Sequence, residues 1–226
     1  MTDYDLNNIN LELKQNIIVK IKEKPAIEDL AFIIEQNQLF FELFDIVNTE
    51  KSAVKYTATK TVKWFSEYKP ELIYSFYYEI VSWLNSDNQF IKWDAIMILS
   101  YLAAVDTAHY FDKIYEEYFA LIRSHQMITA SNVVKSCWRF VLAQPELDQD
   151  MTLRLLEVPQ LTYIHKNKVS EECNCIVCGN VLESFDHYFH VSQYQSEMID
   201  FAKEQLNSSR RAVVQKAKKF LRKHEV

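Results

Sequence analysis

Three cysteines lie within six residues of this chain, at Cys173, Cys175 and Cys178, and two histidines follow at His187 and His190. Thiolates and imidazoles bind zinc tetrahedrally, and a Cys-x-x-Cys spacing supplies half of many structural zinc sites. The sequence has no second such pair, and the run falls in a predicted helix rather than in a tight glycine-containing knuckle. Cysteine is also common as a small buried hydrophobic residue. We therefore expect no metal and no cofactor, and we expect Cys173 to face outward as the one thiol open to reaction.

The other residues that could perform chemistry do not form a familiar catalytic pattern. The spacing of serines, histidines and carboxylates indicates neither a nucleophilic triad nor a paired-carboxylate site. A single glycine, Gly179, is too few for the glycine-rich loops that cradle phosphates. We therefore predict no catalytic residues, and we favour a binding protein over an enzyme.

Composition predicts an all-α fold. The chain has 226 residues, of which 49% are hydrophobic, with only one glycine and four prolines. β-Sandwiches and α/β folds need glycine at turns with positive φ and at bulges, whereas helices joined by short polar turns do not. The hydrophobic content is high enough for one sizeable buried core.

Charge, hydropathy and cysteine distribution indicate the cellular compartment that we expect for the protein. No stretch reaches the ~18 apolar residues of a membrane span, and the first residues, MTDYDLNNIN, are acidic and polar, unlike a signal peptide. The clustered cysteines do not resemble the disulfide framework of a secreted domain, so we expect a cytoplasmic protein that does not bind membranes. A net charge of −6 argues against wholesale nucleic-acid binding, although a local basic patch is compatible with it.

A repeat of 37 to 42 residues runs through the sequence. A small or β-branched residue recurs in the same helical context, and a large apolar residue follows each one seven positions later. The recurring small residues are Ala58, Ala95, Val133, Cys175 and Val213. The large residues that follow them are Phe65, Leu102, Phe140, Leu182 and Phe220. This spacing predicts five buried anchor helices.

An amphipathic stretch precedes each anchor helix, and polar turns rich in Asn, Ser and Asp join the pairs. The preceding stretches are Leu39 to Val47, Tyr77 to Leu84, Tyr115 to Ile122, Met151 to Leu156 and Met198 to Leu206. We therefore predict a single domain over residues 1–226, with cap helices in 1–37 and repeats in 38–226. Pro159 disfavours helix at the preceding residue, so residues 157–168 are predicted to form a longer loop. No strand is predicted.

Two units carry a sequence signature at the start of the anchor helix. Val54-Lys55-x-x-Ala58 and Ile91-Lys92-x-x-Ala95 show an aliphatic residue, a basic residue and then a small residue. Together with the period and the helix pairing, they resemble HEAT repeats. The last unit keeps only the basic residue, Arg210, and the two middle units lack it. The resemblance implies a right-handed α–α superhelix, or α-solenoid, of about five repeats, typical of scaffold and adaptor proteins.

In HEAT-like solenoids the second helix of each repeat lines a concave groove. Helical geometry assigns the face opposite the anchors to that groove. The groove-binding residues predicted on this basis are Tyr56, Lys60, Lys63, Trp93, Met97, Lys135, Trp138, Asn180, Arg211 and Lys218. A basic, aromatic row in an acidic chain favours an acidic partner, either a protein or peptide segment or a nucleic acid. The alternative is that the two tryptophans are buried between repeats and the lysines form an ordinary solvated face.

One stretch also resembles HEAT-like DNA glycosylases that remove alkylated bases. The characteristic Trp-Asp-x-x-Asp of that family is similar to Trp93-Asp94-Ala95-Ile96-Met97 here. Met97 stands where the resemblance would place the catalytic carboxylate, and a thioether cannot stabilise a developing sugar cation. We therefore expect a non-catalytic scaffold that binds a protein or acidic peptide, with a nucleic-acid-binding relative of these glycosylases as the alternative.

Overall fold

A computed structural model describes residues 3–224, with side chains described for residues 10–224. The ends of the predicted cap and repeat ranges, residues 1–2 and 225–226, lie outside the described residues. The fold is all-α, as predicted, with one short β-hairpin as the exception. The chain divides into two compact units, Met1–Val105 and Asp106–Val226. No helix in the described part of the chain is both long enough and apolar enough to cross a membrane.

Six α-helices lie in the described part of the first unit. They are α1 (Asp3–Lys22), α2 (Ile27–Gln36), α3 (Phe40–Thr49), α4 (Val54–Tyr68), α5 (Tyr77–Ser82) and α6 (Gln89–Leu102). α3 packs on α4 and α5 packs on α6, while α4 and α6, the second helices of these two pairs, pack on each other. The anchors Ala58 and Ala95 are fully buried, and their small side chains let the second helices approach closely. α1 and α2 occupy the predicted cap, where they pack on α3 and α4.

Within residues 106–224 the second unit contains seven α-helices and a hairpin. They are α7 (Tyr110–Ala120), α8 (Met127–Ser136), α9 (Trp138–Ala143), α10 (Asp148–Leu156), β1 (Ile164–His165), β2 (Lys168–Val169), α11 (Glu171–Tyr188), α12 (Gln195–Glu204) and α13 (Arg211–Lys223). We call α7, α10 and α12 the first helices of this unit, and α8–α9, α11 and α13 its second helices. α11 lies centrally, packed on α8, α9 and α13.

Buried aromatic residues join the two kinds of helix in the second unit. Phe111 of α7 stacks on Phe140 of α9, with ring centroids 3.7 Å apart. Tyr118, also on α7, meets Phe140 edge-on and shares a hydrogen bond of 2.9 Å with the Ser136 hydroxyl. Burying a side chain of this size stabilises the fold by about 2–3 kcal/mol. Phe140 lies in the core, as do all the recurring small residues and the other large residues that follow them.

The predicted loop 157–168 is more ordered than the sequence suggested. The α-helix before it ends at Leu156, but a 3₁₀-helix follows at Val158–Gln160, so the expectation that Pro159 keeps Val158 out of helix is wrong. Ile164 and Val169 then pair in an antiparallel hairpin. Lys166 and Asn167 form its two-residue turn, both with positive φ, which matches the twist of paired strands. The prediction that the chain contains no strand is therefore wrong at this position.

Polar residues fix the ends of several helices, as predicted from the turn composition. The Asn88 side chain accepts hydrogen bonds from the backbone N–H groups of Phe90 and Ile91 at the start of α6. Ser170 does the same for Cys173 at the start of α11. These side chains satisfy backbone donors that would otherwise lack partners at a helix N-terminus.

Candidate functional site

The outward face of α4 and α6 carries three aromatic rings in contact. The ring of Tyr56 lies edge-on to that of Phe90, with centroids 5.7 Å apart, and Phe90 lies edge-on to Trp93 at 5.3 Å. Tyr56 Oη also accepts a hydrogen bond of 3.0 Å from Asn88. Phe90 is 60% exposed, although it was not among the predicted groove residues. We call Tyr56, Phe90 and Trp93 the aromatic cluster. Trp93 is half-buried, so the alternative that this tryptophan is fully buried between repeats is wrong.

Of the two lysines predicted beside the aromatic cluster, one is exposed and the other is held in an ion pair. Lys60 is exposed, but Lys63 Nζ lies 2.7 Å from Asp94 Oδ1 in a partly buried ion pair between α4 and α6. That pair neutralises Lys63 and occupies Asp94, the residue that resembles the first carboxylate of the glycosylase stretch. Met97 is half-buried on the same side of α6. This face of the first unit is therefore more aromatic than basic.

Charge is partitioned between the two kinds of helix in the second unit. The first helices carry eight acidic and three basic residues, a net charge of −5. The second helices carry eight basic and four acidic residues, a net charge of +4. A net charge for the whole chain conceals this separation. The positive charge of the second helices lies on α8, α9 and above all α13, because α11 carries all four of their acidic residues.

The last second helix, α13, supplies most of the positive charge. Lys216 pairs with Glu183 and Lys223 with Asp186, each at 2.8 Å, so these two lysines tie α13 to α11. Four further cations of α13 are exposed and have no ion-pair partner among the described residues. They are Arg211, Lys218, Lys219 and Arg222, which we call the cationic row. The row contains Arg211 and Lys218, both predicted from the sequence.

Trp138 on α9 is half-buried beneath two side chains. The imidazole of His187 stacks on its indole, with centroids 4.1 Å apart and planes 12° from parallel. The Arg139 guanidinium also lies over the indole, 4.4 Å from its centroid. Burial lowers the pKa of His187, opposed by Asp186, and the nearby cations Arg139 and Lys223 lower it further. Lys135, one turn before Arg139, is exposed as predicted.

One predicted groove residue is not on the surface. Asn180 is only 3% exposed, and its side chain donates a hydrogen bond of 3.0 Å to Ser131 of α8. The face of α11 assigned to solvent is instead covered by α8, because α11 is packed between α8 and α13. The exposed acidic side chains of α11 are Glu171, Glu172 and Glu183. Burial contradicts the expectation that Asn180 faces a partner.

The cysteines belong to the core. Cys173 is buried rather than outward-facing. It lies seven residues before Asn180, on the same face of α11, and α8 covers that face. Burial also raises the pKa of Cys178 to about 12, so its thiol stays protonated at neutral pH. The described residues contain no group of three His, Cys, Asp or Glu side chains arranged to hold a metal ion.

Comparison with known proteins adds no assignment. No model of a known protein family matches the chain, and no curated protein is significantly similar to it.

Proposed function

We propose that this chain is a HEAT-like helical-repeat protein, an α-solenoid of about five two-helix repeats preceded by cap helices. Three features support this architecture. Helices alternate between first and second positions at the spacing of the sequence repeat. Second helices pack on second helices, as α4 does on α6 and α11 on α13. The repeated anchor positions are all buried. Stacked repeats of this kind present continuous surfaces suited to binding.

The proposed activity is non-catalytic binding of an acidic protein or peptide segment to the second helices of the Asp106–Val226 unit. The observation that carries this proposal is the cationic row, whose four side chains are exposed and have no ion-pair partner within residues 10–224, in a chain of net charge −6. Keeping like charges side by side without counter-ions raises the electrostatic free energy of the free protein. An acidic partner relieves that repulsion. Buried, free thiols also suit a reducing compartment such as the cytoplasm.

Binding of a fluorescently labelled, glutamate-rich peptide tests this proposal, with anisotropy as the measurement. Reversing two charges of the cationic row, in Lys218→Glu with Arg222→Glu, is expected to weaken binding about tenfold at about 50 mM NaCl. The matched control reverses Lys113 and Lys203, exposed lysines on the first helices α7 and α12. That control carries the same total charge change and is expected to bind within about twofold of the wild type.

Two results would overturn the proposal. The absence of binding at low salt would remove the acidic-segment function. Equal weakening by the two double variants would show that total charge, and not the second-helix face, governs affinity. Circular dichroism of each variant confirms that folding is retained.

The aromatic cluster favours a second candidate function, the binding of single-stranded nucleic acid. Exposed aromatic rings beside a lysine can stack on bases, each stack contributing about 1–3 kcal/mol. If the aromatic cluster binds nucleic acid, single-stranded DNA is expected to bind at about 50 mM NaCl and to be largely released at about 200 mM. Phe90→Ala then weakens DNA binding, whereas Phe32→Ala, at an equally exposed phenylalanine on α2, does not. Failure of DNA to bind at the lower salt concentration removes this candidate.

A further inference from the structure

The N-terminal helix α1 is held in the first unit by one side of its C-terminal half. Three isoleucines of its last two turns are buried, and α1 packs on α3 and α4. These residues are Ile17, Ile18 and Ile21. Lys14 adds an ion pair to α3, where its Nζ lies 2.6 Å from Asp45 Oδ2, and it donates a hydrogen bond of 2.6 Å to Thr49 Oγ1. Residues 10–12, 15 and 16 of α1 are exposed, so the packing of α1 depends on a small buried face.

α1 does not close onto α2, the helix that follows it in the sequence. A groove of about 460 Å³ lies between the two helices, lined by Leu13 and Val19 of α1 and by Ile33 and Asn37 of α2. The contacts that hold α1 are therefore made mainly with α3 and α4, beyond α2 in the sequence. The short connection of residues 23–26 joins α1 to the rest of its own chain. A terminal helix of this kind can make the same contacts on a second copy of the chain.

The connection between α1 and α2 is strained at Lys24. Its φ of 57° lies in the left-handed region, where the Cβ atom of an L residue crowds the carbonyl oxygen that follows it. Pro25 comes next, and a proline ring favours extended backbone at the residue before it. The conformation of Lys24 therefore opposes two preferences of its own sequence. Both preferences are satisfied when the connection straightens.

We propose that α1 is exchanged between two copies of this chain, so that the α1 of each copy packs on α3 and α4 of the other. In this domain-swapped dimer Lys24 is extended, while the isoleucine contacts and the Lys14–Asp45 ion pair form again between the copies. Because the contacts of α1 are the same in both states, two opposing quantities set the equilibrium. Association costs translational and rotational freedom, whereas straightening two connections per dimer releases strain.

Analytical ultracentrifugation of protein refolded from urea at a series of concentrations tests the exchange. The wild type is expected to form a dimer whose fraction rises with protein concentration. Lys24→Gly is expected to raise the dissociation constant of that dimer about tenfold, because glycine adopts positive φ without strain and each dimer contains two such connections. The matched control is Gln38→Gly, at another residue of positive φ (55°), which lies between α2 and α3 and does not precede proline. The control is expected to leave the dissociation constant within about twofold of the wild type.

Cross-linking distinguishes an exchanged helix from an ordinary surface contact between two copies. The double variant Lys14→Cys with Asp45→Cys places one thiol on α1 and one on α3, and it removes the same ion pair from monomer and dimer. The isolated dimer is treated with a short bifunctional maleimide, which reacts first at these two positions because the four native cysteines are buried. If α1 is exchanged, the cross-link joins two chains, which run as a dimer on a denaturing gel. If α1 stays on its own chain, the cross-link closes within that chain, which runs as a monomer.

Three results would each rule out the exchange. The first is a wild type that stays monomeric at every concentration at which it is soluble. The second is a dimer whose cross-links close within single chains, and the third is the same dissociation constant for Lys24→Gly and Gln38→Gly. None of these measurements involves an acidic partner, so the proposed function of the second unit is tested separately.

Discussion

Residues that looked reactive in the sequence serve packing in the structure. Cys137 is fully buried, and its thiol lies 3.4 Å from the Ser184 hydroxyl between α8 and α11. Burial raises the pKa of Cys137 to about 12, even though hydrogen bonds to the sulfur oppose the rise. A thiolate is the reactive form, so such a group reacts slowly at neutral pH. By contrast, His187, first noted as a possible metal ligand, lies at the surface against Trp138.

The thiols are therefore expected to be protected in the folded protein. With a pKa of about 12, Cys137 and Cys178 are ionised to only about one part in 10⁴ at pH 8, whereas an unfolded cysteine is about a quarter ionised. An absorbance assay with an aromatic disulfide reagent should show slow reaction in buffer and rapid reaction of all four thiols in denaturant. A cysteine introduced at the exposed Ser196 is the control and reacts at once. Reaction of Cys137 as fast as this control would contradict the prediction.

At the scale of elements, α11 determines the arrangement of the second unit. Its lone glycine, Gly179, faces α13, where a Cβ atom at this position would lie 3.1 Å from Val213 Cγ2 and 3.5 Å from Lys216 Cδ. The missing side chain lets the stem of Lys216 cross α11 on its way to Glu183. Exposed ion pairs of this kind contribute about 0–1 kcal/mol each, so burial of Val213, Ala217 and Phe220 holds α13 more strongly than the ion pairs do.

Gly179→Leu is expected to lower the free energy of unfolding by about 1–3 kcal/mol, because the larger side chain separates α11 from α13. This cost exceeds the gain of about 1 kcal/mol in helix propensity from replacing glycine. The matched control is Ala212→Leu, at an exposed position of α13, which should change stability by no more than about 0.5 kcal/mol. Urea denaturation measures both variants. A Gly179→Leu protein as stable as the wild type would show that α13 does not need the close approach.

Sequence periodicity predicted the helices well, but it could not predict for every helix which face is buried. The anchors were found because small and large residues recur at fixed spacing. The face of α11 was misassigned because α8 covers the side that carries Asn180 and Cys173. The spacing of a sequence repeat does not indicate which helix packs against which face. The hairpin could have been found from Ile164-His165-Lys166-Asn167-Lys168-Val169, where two β-branched residues flank a turn containing asparagine. Phe90 was missed because the repeat offset carries Tyr56 onto Trp93, three residues beyond Phe90.

Across the whole molecule, the distribution of charge carries more information than its sum. A net charge of −6 predicts that the protein ignores a polyanion, yet the second helices of the Asp106–Val226 unit carry a net charge of +4. Charged groups act mainly within a Debye length, which is about 10 Å at 0.1 M salt. A polyanion that lies along the cationic row is therefore attracted most strongly by the charges of that row, which are the nearest to it.

Retention on a heparin column at pH 7.5 and low salt tests whether the distribution of charge governs the binding of polyanions. The test does not require the natural partner. The wild-type protein is expected to bind despite its negative net charge and to elute as salt is raised. Lys218→Glu with Arg222→Glu, and Lys113→Glu with Lys203→Glu, each replace two positive charges with two negative ones and so change the net charge from −6 to −10. If distribution governs binding, only the first variant loses retention, because it alone interrupts the cationic row. If net charge governs binding, the two variants elute together, and the second-helix face has no special role.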